Sequence, residues 1–153
     1  MCMDAVDVKI IECLIANSRE NASVIGSKVN MSVSAVIERI KKLESSGIIK
    51  QYTAVLNKEM LGMDLSAFVS VNLEHPKFSG VFVDFVANHP QIAECHCVTG
   101  DFSYLLKVCT ENTKSLEKLV NEVKSVSGVV STFTQVVLST QKEDFSPEII
   151  AEQ

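Results

Sequence analysis

Apolar residues near the start of the chain recur at helical intervals. Val6, Ile10, Ile11, Leu14 and Ile15 fall on one side of a helix, and Asp4 and Asp7 stand where a cap and a first turn favour carboxylates. The pattern predicts a helix from Asp4 to Asn17, stopped by the polar run Asn17–Asn21. Asn21 is placed to cap a short second helix over about Ala22–Val29, and Asn30 to form a tight turn, since Asn tolerates the left-handed conformation. Ser32 then caps a third helix, Val33 to about Ser46, ended by Gly47. In this helix Val33, Val36, Ile40 and Leu43 form a packing side with Ile37 at its edge. Ser34, Ala35, Glu38, Lys41 and Lys42 occupy the other side, flanked by Arg39.

Beyond Gly47 the period changes. Gln51–Leu56 is β-prone and reads as a strand-like connector, with a second domain opening near Gly62. Ala67, Val69, Val71 and Leu73 alternate with Phe68, Ser70, Asn72 and Glu74, which predicts a strand. Pro76 opens a helix with an apolar stripe of Val81, Phe82, Phe85 and Val86, closed by His89-Pro90. Gln91–Val98 and Ser103–Thr110 are β-rich runs around the turn-like Thr99-Gly100-Asp101-Phe102. A helix capped by Asn112 or Thr113 follows, burying Leu116, Leu119, Val120 and Val123 and ending at Gly128, and Val129–Thr140 is the last strand. The fold class is therefore α+β: an N-terminal three-helix helix-turn-helix domain (1–50), a connector (51–61), a ferredoxin-like βαββαβ domain with an antiparallel sheet (62–141), and a polar tail (142–153) containing Pro147.

Charge changes the picture only once it is divided along the chain. The net charge of −5 is unpromising for a nucleic-acid binder, yet residues 1–56 hold seven basic side chains against six acidic ones, and the remainder seven against thirteen. The acidic excess thus belongs to the second domain. Five cysteines (Cys2, Cys13, Cys95, Cys97, Cys109) without a secretory pattern imply reduced thiols, and no apolar run is long enough to span a bilayer, so a cytoplasmic location and no membrane partner are expected.

Three stretches bear a resemblance to the Lrp/AsnC (feast/famine) family over nearly the whole length. These are Asp7-Val8-Lys9-Ile10-Ile11 with the following leucine; Met31-Ser32-Val33-Ser34 through Arg39-Ile40-Lys41-Lys42-Leu43-Glu44 to Gly47-Ile48-Ile49 and Tyr52-Thr53-Ala54; and Val98-Thr99-Gly100-Asp101-Phe102-Ser103-Tyr104-Leu105-Leu106. The resemblance implies double-stranded DNA as a partner, bound by homodimers that assemble further, often to octamers, with free amino acids as effectors. It implies no enzymatic chemistry and no cofactor.

The chemistry available to each motif follows from residue type. A helix-turn-helix lays its second helix in the major groove, which assigns Ser34, Ala35 and Glu38 to base edges and Arg39, Lys41 and Lys42 to phosphate or guanine. The family usually places a basic residue where Glu38 stands; this glutamate can accept from cytosine N4 or pair with Lys42. Gly26 keeps the helix pair close. In the Thr99–Tyr104 hairpin, backbone N–H groups at a glycine turn suit a carboxylate and Asp101 suits an ammonium, together an amino-acid zwitterion. The resemblance puts effectors here, between dimers. Thr99, Gly100, Asp101, Ser103 and Tyr104 form the expected site, completed by Thr132 and Thr134. Ser103 stands where many relatives have Asp, and some asparagine-responsive members of the family are similar to this sequence at that position.

Cys95-His96-Cys97 offers soft ligands. Alternation nevertheless puts the thiols on one face and the imidazole on the other, with Cys109 out of reach, so no metal site is expected without another subunit. His75 and His89 beside prolines are structural. There is no phosphate loop, nucleophile elbow or paired His and carboxylate, so catalysis is not expected. Two rivals remain at this point: an amino-acid-binding regulatory module without DNA affinity, and a metal- or redox-responsive repressor.

Overall fold

The computed structural model describes residues 3–146, leaving Cys2 and Pro147 outside the described residues. Its described residues divide into two compact units, one running to Val55 with residues 142–146 grouped with it, the other Leu56–Gln141.

The first unit is three helices: α1 (Ala5–Ala16), α2 (Ala22–Val29) and α3 (Val33–Ser45). Helix α1 opens on a reciprocal capping box, in which the Asp4 carboxylate accepts from Val6 and Asp7 N–H and the Asp7 carboxylate accepts from Asp4 N–H. Asn21 occupies the N-cap position of α2 but makes no side-chain cap, contrary to expectation. Asn30 closes α2 in the left-handed region (φ 54°), and Ser32 caps α3 by accepting from Ala35 N–H. Gly26 is required by space: a Cβ there would lie 2.7 Å from the Met31 carbonyl oxygen. The core is Ile10, Ile11, Leu14, Ile25, Val29, Val36 and Leu43. Ile15 and Val33, expected on packing faces, are exposed instead, because the small three-helix core reaches neither end of its stripe.

Residues 51–61 are expected as a strand-like connector, with Gln51–Leu56 as its β-prone part. No ladder joins them to another strand among the described residues, and β-propensity without a neighbouring strand makes no sheet. The segment is tied back to α3 by Tyr52, whose hydroxyl donates to Glu44 at 3.0 Å. Burial first, then this bond to a carboxylate, pushes the Tyr52 pKa up to about 12. A 3-10 turn, Glu59–Leu61, follows.

The second unit contains β1 (Leu65–Leu73), α4 (Ser79–Ala87), β2 (Ile92–Cys97), β3 (Tyr104–Thr110), α5 (Thr113–Ser125) and β4 (Val129–Val136). The sheet order is β2-β3-β1-β4, with every pairing antiparallel. Both helices cover one face, burying Phe82, Val86, Leu116, Leu119 and Val123 against Ala67, Val69, Val71, Tyr104, Leu106 and Val108. Val81, expected in the α4 stripe, is exposed. Pro76–Phe78 forms a 3-10 turn ahead of α4 instead of its first α-helical turn. β4 ends at Val136 and does not reach Thr140: its partner β1 begins at Leu65, and Val137 N–H already donates to Ser66 O. No described helix is long and apolar enough to cross a membrane.

Candidate nucleic-acid interface and effector hairpin

Helix α3 is held by a narrow stripe. Val36 and Leu43 are buried and Ile40 is half-buried, as are Ala35 and Arg39, and the other residues of the helix are exposed. Complete burial of each of the first two contributes roughly 1.5–3 kcal/mol, enough to seat the helix while leaving its polar side free. Ser34, Glu38, Lys41 and Lys42 are exposed on that side and Ala35 is half-buried. Among the described residues neither Lys41 nor Lys42 has an ion-pair partner, and no ion pair joins Glu38 to Lys42. Val33, which the helical pattern placed on the packing side, and Ile37, which it placed at the edge of that side, are 45% and 41% exposed and border this surface.

Arg39 behaves differently from its neighbours. Its Nη1 donates to Asp4 Oδ2 and to Asp7 Oδ1, both at 2.7 Å, across more than thirty residues of sequence. The expected free cation is thus an internal tie between α3 and the first turn of α1. Spacing did not reveal this, because the two helices meet only in the folded unit.

The 98–103 connection in the second unit is anchored at its base. Val98 N–H donates to Ser103 O and Ser103 N–H to Val71 O, while Gly100 holds a φ of +110°. Asn72 is the residue that the sequence reading missed: its Nδ2 donates to Asp101 O at 3.1 Å, and its Oδ1 accepts from Ser103 Oγ at 3.0 Å. Thr99, Gly100 and Asp101 are exposed. Among the described residues the N–H groups of Gly100, Asp101 and Phe102 have no acceptor.

Three of the expected effector contacts do not join this cluster. Tyr104 is buried on the helix-covered face with its ring 4.9 Å from that of Phe82, so its side chain belongs to the core. Thr132 and Thr134 pair with Val71 and Val69, which puts their side chains on the same helix-covered face. Asn72, paired with Ser131, lies on the opposite, open face. The residue of β4 that does approach the hairpin is Phe133, whose ring stacks 6.3 Å from that of Phe102. Alternation alone identified the two faces of each strand; which residue of β4 lies beside the hairpin depends on register, which a single sequence does not display.

The thiols are divided. Cys95 and Cys97 pair with Leu106 and Tyr104 and face the helix side, whereas His96 pairs with Leu105 and Cys109 with Ser66 on the open side. Burial raises the Cys95 pKa, so its thiol is protonated at neutral pH. His75 Nδ1 accepts from Lys77 N–H, and His89 bridges Gln91 N–H to Glu122 Oε2 at 2.9 Å; both serve as local ties.

Comparison with known proteins accounts for both units. Residues 3–44 match the family model of the AsnC-type helix-turn-helix domain, and residues 66–147 that of the Lrp/AsnC ligand binding domain. The chain is 36% identical to the HTH-type transcriptional regulator FL11 of Pyrococcus furiosus over 92% of its own length and 93% of the relative. It is 35% identical to the leucine-responsive regulatory protein of Haemophilus influenzae, over 92% and 87%. Among solved structures, a transcriptional regulator from Neisseria meningitidis in complex with L-Met superposes with a TM-score of 0.91 at 28% identity, covering 95% of this chain and 96% of that one. The chain, with its helix-turn-helix unit and its ligand-binding unit, belongs to the Lrp/AsnC family of DNA-binding transcriptional regulators.

Proposed function

We propose that this regulator reads a specific operator through α3 and that a free amino acid, held at the 98–103 hairpin, modulates its assembly or its operator affinity. The DNA half rests on one observation: Ser34, Glu38, Lys41 and Lys42 stand exposed on a helix whose back is seated in a core. Serine and glutamate face base edges, with Glu38 accepting from cytosine N4, and the two lysines neutralise phosphates. Arg39 has no place in this set, since its charge is spent inside the unit.

The effector half rests on the amide groups of Gly100, Asp101 and Phe102, which point to a carboxylate, with the Asp101 side chain for the ammonium. Asn72 and Ser103 fix the loop, and Phe102 with Phe133 offers an apolar wall for a side chain. The Neisseria relative was solved with L-Met, which supports an amino acid as the ligand class. Protomers pair through the open face of the sheet and assemble further, and the effector lies between dimers; the protein acts in the cytoplasm, without catalysis. Effector and operator then influence one another reciprocally.

Electrophoretic mobility shift with the protein's own upstream region, at increasing salt, tests the first half. Salt-dependent retardation is expected, and its absence removes the reading. A thermal-shift screen against the twenty amino acids tests the second. One or a few should raise the melting temperature, by mass action, and Asn72→Ala should abolish the shift.

A further inference from the structure

We propose that Arg39 is a positioning residue: it sets the roll of the recognition helix by locking α3 to the capping box of α1, and does not itself touch DNA. The proposal rests on the reading of α3 as the groove-facing helix and deepens it.

The two carboxylates are fully engaged. Asp4 Oδ1 accepts from Val6 and Asp7 N–H, Asp4 Oδ2 from Arg39, Asp7 Oδ2 from Asp4 N–H, and Asp7 Oδ1 from Arg39. Each of the four carboxylate oxygens is used, and one guanidinium faces two carboxylates. Both bonds come from Nη1, and the two carboxylates outweigh the single positive charge, so the cluster as a whole does not attract a phosphate. Its side chain is 30% exposed and that of Asp7 only 12%, so the Asp7 pair is partly withdrawn from solvent, where screening is weaker.

Position on the helix gives the lock its consequence. Val36, Ile40 and Leu43 seat α3 through a narrow apolar stripe, which by itself opposes rotation of the helix about its axis less than it would with a second contact on the flank, and Arg39 lies beside that stripe. Its tie to α1 supplies that second contact. Base readout depends on the orientation of α3, because hydrogen bonds to base edges demand that Ser34 and Glu38 arrive at fixed positions, whereas phosphate contacts by flexible lysines do not.

The distinguishing experiment uses the full-length chain and two probes: a duplex selected by the wild type from a random-sequence pool, and the unselected pool. The readout is the ratio of the two affinities. Arg39→Gln and Asp7→Asn should each lower this ratio about tenfold, and the double variant should fall no further, as expected for two ends of one interaction. Asp4→Asn, which keeps a good N-cap side chain and removes one ion pair, should lower it less. Far-UV circular dichroism confirms folding of each variant, and Asp4→Asn remains informative should another fail to fold. A ratio that falls in Arg39→Gln but holds or rises in Asp7→Asn identifies a direct base contact and overturns the proposal. A ratio unchanged in both overturns it too. Wild type that binds neither probe in a salt-dependent way defeats the underlying reading instead.

Discussion

At Gly128 a side chain is excluded twice. Its φ is +89°, and an added Cβ would sit 2.2 Å from the Phe78 ring. Gly26 has an ordinary φ, but its Cβ would press on the Met31 carbonyl oxygen, which cannot yield without moving the turn between α2 and α3. Gly26→Ala and Gly128→Ala should each lower stability by about 1–3 kcal/mol, with Gly128→Ala the worse, as measured by urea unfolding. Asn72 and Arg39 show the same scale from the polar side: each side chain bridges segments about thirty residues apart, so substituting one disturbs two elements. The sequence reading recognised Gly26 as a packing residue and Arg39 as functional. It did not reveal the ion pairs of Arg39, because the nearness of Asp4 and Asp7 is a product of folding.

At the scale of elements, the caps and ties make the protein sensitive to acid. The backbone N–H of Asp7 and then Arg39 hold Asp4 below the usual carboxylate range, and His89 does the same for Glu122, as does His96 for Glu94. A carboxylate with a depressed folded pKa stabilises the fold above its unfolded value, near 4, and that contribution disappears as pH falls through the folded value. The melting temperature should therefore hold from neutral pH to about 5 and drop below about 4; a flat profile down to pH 3 would contradict these ties. Helix α3 carries the complementary prediction. Lys41→Ala and Lys42→Ala should weaken binding to all duplexes and each reduce the salt-dependence slope by about 1, measured by fluorescence anisotropy across salt. Most elements were legible in the sequence because their caps and periodicities are local. The connector was not: β-prone residues make a strand only when a neighbour supplies hydrogen bonds, and residues 50–57 have none within the chain as described.

At the scale of the whole molecule, the sheet's open face remains uncovered by α4 and α5. Phe68 and Phe133, on adjacent strands, are 36% and 53% exposed there, with Leu105 close by in register. These exposed apolar groups fit the protomer pairing proposed for this face. Phe133→Lys should shift the protein toward monomer in sedimentation velocity and weaken operator binding, since each half-site would be held alone; an unchanged sedimentation coefficient would place the contact elsewhere. The sequence by itself determined the helices and strands, their division into two units, the two faces of each strand and the outward side of α3, because periodicity, caps and turn residues act within a few positions of each other. Only the tertiary structure decided that Arg39 is bound to Asp4 and Asp7, that Tyr104, Thr132 and Thr134 turn toward the helices, and that Asn72 and Phe133 stand beside the hairpin. Those are matters of register and long-range contact, and a one-residue shift in strand pairing would move every side chain of β4 to the other face.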